Sequence, residues 1–168
     1  VGGAQAENLT PPDVVKFTTA YARLIAERNP GKKLTIVVGR DARISGEMVS
    51  DLVEGTLLAC GADVINVGLC TTPGTEMAVI TKRADGGIII TASHNPRQWN
   101  ALKLLNSDGE FLTDAEGKRV LAMAEEEASG MCFRANRSTG RISSRCWRFR
   151  SWTPRRSANA ASRWSSTP

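Results

Sequence analysis

The stretch of this sequence with the most chemistry in it runs Thr91-Ala92-Ser93-His94-Asn95-Pro96-Arg97-Gln98-Trp99-Asn100-Ala101-Leu102-Lys103. A strand-like apolar run ends at Thr91 and delivers a hydroxyl (Ser93), an imidazole (His94) and a carboxamide (Asn95) into a loop whose backbone Pro96 restricts. Lys103 follows on the next expected strand, placed to meet a negative group on Ser93. Those residue types suit a serine that holds a phosphate. The dianion needs cations and donors around it. Asn95, Lys103 and a hard divalent cation such as Mg²⁺ could supply them, since Mg²⁺ favours phosphate and carboxylate oxygens over thiols. Hydrolase chemistry fits less well. Ser93 and His94 are neighbours, and adjacent side chains on extended backbone point apart, which serves a Ser–His relay poorly. No G-x-S-x-G elbow occurs either. A plain structural turn is the competing reading of such a loop taken alone.

The elements that must position this loop follow from periodicity and caps. Thr10 is placed to cap a helix whose first position is Pro11, where a missing N–H costs nothing. Val14, Phe17, Tyr21, Leu24 and Ile25 recur at helical spacing until Asn29-Pro30-Gly31 stops the run. Leu34 to Val38 reads as a strand. Ser45 should cap the next helix, with Val49, Leu52, Val53 and Leu57 inward and Gly61 just past its end. Strands are expected at Asp63 to Val67, Gly87 to Thr91 and Leu102 to Leu105, with a shorter helix opening at Thr72-Pro73 and running to about Lys82. Thr113-Asp114-Ala115-Glu116 is a capping box that opens a helix to about Ala128. This alternation predicts an α/β fold, three-layer α/β/α with a mainly parallel mixed sheet. The loops 39–44, 68–72 and 92–100 then share one sheet edge, where a site is expected.

Charge divides the chain in two. The net charge of +5 averages residues 1–130, with seventeen acids against thirteen Lys and Arg, and residues 131–168, with nine Arg and no acid. The predicted organisation is therefore a domain over 1–129 and an irregular basic tail over 130–168. The tail holds three of the four Trp and has no apolar period. Three readings of it compete: an out-of-frame or mis-assembled stretch of a GC-rich gene, which is preferred; a non-catalytic nucleic-acid-binding tail using phosphate contacts and Trp stacking; and an ordinary surface extension. The absence of an RRM, KH or zinc-finger pattern argues against the nucleic-acid reading. Cys60, Cys70, Cys132 and Cys146 lack CxxC spacing, and His94 is the single histidine, so a zinc site is not expected and reduced cytoplasmic thiols are. The apolar runs are too short to span a membrane. The opening Val1-Gly2-Gly3 lacks Met and a charged-then-apolar leader, so a secretory signal is not expected and lost upstream sequence is.

Thr91 to Pro96 resembles the Thr-Ala-Ser-His-Asn-Pro signature of the α-D-phosphohexomutases: phosphoglucomutases, phosphomannomutases and phosphoglucosamine mutases. The likeness continues through Asn100, Lys103 and Asn106-Ser107-Asp108-Gly109. Upstream, Gly39-Arg40-Asp41-Ala42-Arg43-Ile44-Ser45 is similar to the family's Gly-Arg-Asp-x-Arg-x-Ser loop, and Gly68 to Pro73 to its Gly-x-x-x-Thr-Pro turn. In detail the sequence looks most like a phosphoglucosamine mutase. The resemblance implies that Ser93 is a phosphoserine exchanging its phosphate with a hexose monophosphate through a hexose 1,6-bisphosphate. It implies that Mg²⁺ binds a phosphate oxygen on Ser93, and that His94, Asn95 and Lys103 surround the phosphate, with Lys103 neutralising charge or moving a proton. Arg40 and Arg43 are phosphate-binding candidates, although Arg40 and Asp41 also read as ordering the loop edge and Arg43 as a supporting cation. The resemblance covers the first of the family's four domains, without its leading Ser-Gly-x-Arg-Gly loop, its Asp-Gly-Asp-x-Asp metal loop, its sugar-recognition loop or its Arg-Ser-Gly-Thr phosphate loop. An incomplete, inactive fragment is the expectation.

Overall fold

The computed structural model describes residues 9–128. The expectations for Val1-Gly2-Gly3 and for the basic tail from residue 130 lie outside the described residues. Eight elements alternate along the chain: α1 (Pro11–Arg28), β1 (Thr35–Arg40), α2 (Gly46–Ala59), β2 (Asp63–Leu69), α3 (Thr72–Lys82), β3 (Gly86–Ile90), β4 (Leu102–Leu105) and α4 (Asp114–Ala128).

Local chemistry starts the helices. The Thr10 hydroxyl accepts from Asp13 N while the Asp13 carboxylate accepts from Thr10 N, a capping box ahead of Pro11. α4 opens in the same way, with Glu116 accepting from Thr113 N at 2.6 Å and Thr113 Oγ1 accepting from Glu116 N at 3.4 Å. α2 departs from expectation. Ser45 stands at the N-cap, but its hydroxyl makes no capping bond and instead accepts from Asn100 Nδ2 at 3.1 Å. Ser45 itself has helical backbone angles (φ −85, ψ −1), outside the extended region from which a capping side chain reaches the next turn.

The sheet order is β2-β1-β3-β4. β1 pairs in parallel with β2 and β3, and β4 closes the far edge antiparallel to β3. The sheet is thus mixed and mainly parallel. Alternation sorts its side chains onto two faces. Ile36, Val38, Ile88 and Ile90 meet Val14, Tyr21 and Ile25 of α1 and Val49, Val53 and Leu57 of α2. Val37, Ile89 and Leu105 face the other way, onto Val79 of α3. α4 packs on the far side of α1 through Val120, Met123 and Ala124 against Ala20 and Leu24. The result is the expected α/β/α layering. β1 runs two residues further than its apolar pattern, to Arg40, because the ladders to Leu69 and Ile90 continue. Gly39 permits this, since α3 passes so close that a Cβ there would sit 2.3 Å from Thr75 Oγ1. Among the described residues, no helix is long and apolar enough to cross a membrane.

Candidate functional site

β1 and β3 end side by side at Arg40 and Ile90, so the loops that follow them meet at the carboxyl edge of the sheet. Asp41 N donates to Ile90 O at 3.1 Å and ties the two loop origins together. β4 returns antiparallel beside β3, which brings Lys103 back to the same edge. There its Nζ donates to Ser93 Oγ at 2.7 Å. The sequence separation of ten residues is closed by the β3–β4 turn, as expected. The Lys103 ammonium also stands 5.6 Å from the Phe111 ring centroid, a cation–π contact. It makes no ion pair among the described residues, so it presents a cation to the serine oxygen.

Ser93 sits in the left-handed region, with φ +53. For a non-glycine residue this costs about 1–2 kcal/mol, and the surroundings must hold it there. Two groups do. Ser93 N donates to Thr91 Oγ1 at 3.0 Å, and Ser93 O accepts from Arg43 Nη2 at 2.6 Å.

Arg43 is the organiser of the loop. Its Nη1 lies 3.0 Å from Asn95 O, 2.6 Å from Pro96 O and 2.9 Å from Trp99 O, and its Nε donates to Asp41 Oδ2 at 2.8 Å. The planar guanidinium suits this, because it aims several donors in fixed directions. Its side chain is only 9% exposed. Its donors are turned into the protein, where they gather the carbonyls of the serine loop. Arg40 reaches the Asp41 carbonyl at 3.4 Å, the limit of a hydrogen bond, and has no ion pair among the described residues. Asp41 carries the shorter contacts at the loop edge, to Arg43, Thr91 and Ile90. His94 and Asn95 are exposed, and their side chains make no hydrogen bond among the described residues. Both remain available to something arriving from solvent.

Two buried contributors had no functional reading in the sequence. Thr91 Oγ1 donates to Asp41 Oδ2 at 2.6 Å, and Asn100 anchors the loop's far end to Ser45. The signal was present in each case, a polar residue flanking an apolar strand, but nothing local named the partner.

An α/β/α domain with a serine and a lysine converging at the carboxyl edge of a mainly parallel sheet belongs to the doubly wound class whose sites form at that edge. Residues 2–131 match the family model described as phosphoglucomutase/phosphomannomutase, alpha/beta/alpha domain I, and the chain belongs to that family. Among curated proteins it is 38% identical over 140 residues to a phosphoglucosamine mutase of Saccharopolyspora erythraea, covering 83% of this chain and 30% of that one. It is 43% identical over 109 residues to a phosphoglucomutase/phosphomannomutase of Thermococcus kodakarensis, covering 65% and 24%. A solved structure from Thermus thermophilus, provisionally assigned as a phosphomannomutase, superposes with a TM-score of 0.65 at 30% identity over 71% of this chain and 27% of that one. The chain thus spans under a third of the length of these relatives.

Proposed function

We propose that residues 9–128 form the phosphate-carrying domain of a cytoplasmic hexose-phosphate mutase, with Ser93 as the carrier. The observation that carries this reading is the 2.7 Å contact between Lys103 Nζ and Ser93 Oγ on an exposed sheet edge, with Ser93 held in an otherwise unfavourable backbone conformation. In the transfer step a hydroxyl of a hexose monophosphate attacks phosphorus. The new bond is sugar O–P, and the bond broken is Ser93 Oγ–P. The departing Oγ takes a proton from the Lys103 ammonium, and the proton released by the sugar hydroxyl passes through solvent back to the Lys103 amine, so the ammonium is restored. Reversal from the hexose 1,6-bisphosphate, presented by its other phosphate, reloads Ser93. His94 and Asn95 are exposed on the same loop and would donate to the phosphate oxygens. Arg40 borders the edge, while Arg43 serves the loop from inside.

A phosphoserine carries about −1.5 to −2 charge near neutral pH, and Lys103 offsets one unit of it. A divalent cation would balance the remainder. Among the described residues, however, no group of three or more His, Cys, Asp or Glu is placed to hold a metal ion, and Asp41 is engaged by Arg43 and Thr91. These residues do not build a Mg²⁺ site by themselves. A phosphate oxygen on Ser93 offers one ligand, and no step above runs through the ion. The same shortage of electrostatic partners underlies the second half of the proposal, that this stretch alone does not turn over hexose phosphates.

The test is incubation of the chain with glucose 1,6-bisphosphate, followed by mass analysis of the tryptic peptide Ala84 to Arg97. One phosphoryl group is expected on Ser93 and none on Ser93→Ala. Lys103→Met should slow loading by about 10²-fold, the usual scale for losing one placed electrostatic group. Label on another residue, or undiminished labelling of Ser93→Ala, overturns the carrier assignment. Ser93-dependent conversion of glucose 1-phosphate or glucosamine 1-phosphate by this chain would overturn the claim that it is inactive alone.

A further inference from the structure

We infer that Thr91 is a positioning residue for the carrier serine, and that Asp41 sets the direction of its hydroxyl. This rests on the reading of Ser93 given above and deepens it.

The reasoning begins with a proton count. A threonine hydroxyl has one hydrogen to give and lone pairs to accept with, whereas a carboxylate oxygen can only accept. The 2.6 Å contact between Thr91 Oγ1 and Asp41 Oδ2 therefore uses the hydroxyl hydrogen. Only lone pairs remain on Oγ1, and Ser93 N–H donates to one of them at 3.0 Å. Asp41 is itself held by several bonds. Its Oδ1 accepts from Arg43 N at 3.1 Å, its Oδ2 from Arg43 Nε at 2.8 Å, and its own N–H is fixed to Ile90 O. Orientation thus passes from the end of β1 through Thr91 to the backbone of Ser93.

Burial makes this effective. Thr91 is 6% exposed, and its N–H donates to Ala101 O at 3.0 Å, so the strand pairing holds its backbone while water is kept from its hydroxyl. Ser93, by contrast, is exposed. Without an acceptor at Thr91, its N–H would turn to solvent, and the left-handed backbone would lose one of its two restraints. The serine oxygen would then leave the position in which it meets Lys103. A hydroxyl at residue 91 is what the arrangement requires; a methyl group of the same shape cannot accept.

The experiment uses the full chain and two variants. Thr91→Val keeps the shape and removes the hydroxyl, and Thr91→Ser restores the hydroxyl without the methyl. Misplacing a reacting group by about 1 Å costs on the order of 10²-fold in rate, so Thr91→Val should load Ser93 from glucose 1,6-bisphosphate about 10- to 100-fold more slowly, and Thr91→Ser should recover most of the rate. Loss from a general structural defect would not be rescued in this way. Loading of Thr91→Val at the wild-type rate, or of Thr91→Ser as slowly as Thr91→Val, overturns the inference. Amide hydrogen exchange supplies an arm independent of phosphate. In the wild-type chain the Ser93 amide should exchange about 2- to 10-fold more slowly than the His94 amide after correction for intrinsic rates, the ratio that one net hydrogen bond supports. Equal exchange overturns the arrangement at Thr91 even if Thr91→Val fails to fold. Failure of the wild-type chain to load would sink the carrier reading instead, leaving exchange to decide on Thr91.

Discussion

Replacing Arg43 by Ala removes the guanidinium that joins the loops after β1 and β3. Its side chain is 9% exposed and contacts Asp41 and the carbonyls of Ser93, Asn95, Pro96 and Trp99. Hydrogen bonds to a charged group are worth about 1.5–3 kcal/mol each, yet their sum would overstate the loss. Ser93, Asn95 and Pro96 are exposed, and water can serve their carbonyls once the arginine is gone. The ion pair to Asp41 and the bond to the Trp99 carbonyl are part-buried and less replaceable. Stripping one partner from a fully buried pair costs about 3–5 kcal/mol. Asp41 keeps 31% of its side chain exposed and retains Thr91 as a donor, which lowers that figure. A loss of about 2–3 kcal/mol is expected, which for a domain of this size lowers Tm by about 10 °C. Thermal melts of wild type, Arg43→Ala and Arg43→Lys measure it. Lysine keeps the charge for Asp41 but cannot fork to several carbonyls, so its Tm should fall between the other two. Melting of Arg43→Ala within about 2 °C of wild type would refute the clamp, since one part-buried hydrogen bond alone is worth more.

Two further outcomes follow from other parts of the fold. Gly86→Ala places a Cβ 2.1 Å from Tyr21 Oη and 2.9 Å from Leu105 O, against both groups of a buried 2.8 Å hydrogen bond; overpacking of this kind costs about 1–3 kcal/mol, read by denaturant titration, and adding Tyr21→Phe should recover part of the loss by removing the oxygen in the way. The Thr113 N–H and hydroxyl hold the Glu116 carboxyl below its ordinary value, and the Thr10 hydroxyl and N–H do the same for Asp13. Because both folded-state values are lowered, their contribution to stability is complete above the ordinary carboxylate range and is lost as pH falls through the folded-state values. Glu116→Gln should therefore flatten the decline in Tm below about pH 4, and an unchanged acid limb would refute that assignment.

Much of the fold was legible because its causes are local. Thr10, Pro11 and Asp13 start α1 through groups within three residues, as Thr113 and Glu116 start α4. The apolar period of Val14, Tyr21 and Ile25 is the face that α1 buries, and the alternation in β1 and β3 divides the two sides of the sheet. The antiparallel return of β4 is short enough that Ser93 and Lys103 could be paired from spacing alone.

The roles of the remaining polar residues depended on partners far along the chain. Arg40 and Arg43 have the same chemistry and adjoining positions, and only the packing of the β3 loop shows that Arg43 turns inward to four carbonyls while Arg40 stays at the edge. Ser45 has the residue type and position of a cap, but its backbone is helical and its hydroxyl serves Asn100 instead. Thr91 ends a strand in the sequence, but its hydroxyl gains direction only when β1 delivers Asp41 beside it. Caps, turns and apolar periods are short-range, so the sequence by itself determined where the elements begin and which faces they bury. A hydrogen bond between residues fifty apart exists only once the sheet has set its strand order, and it was that order that decided which side chains hold Ser93 and which face the solvent.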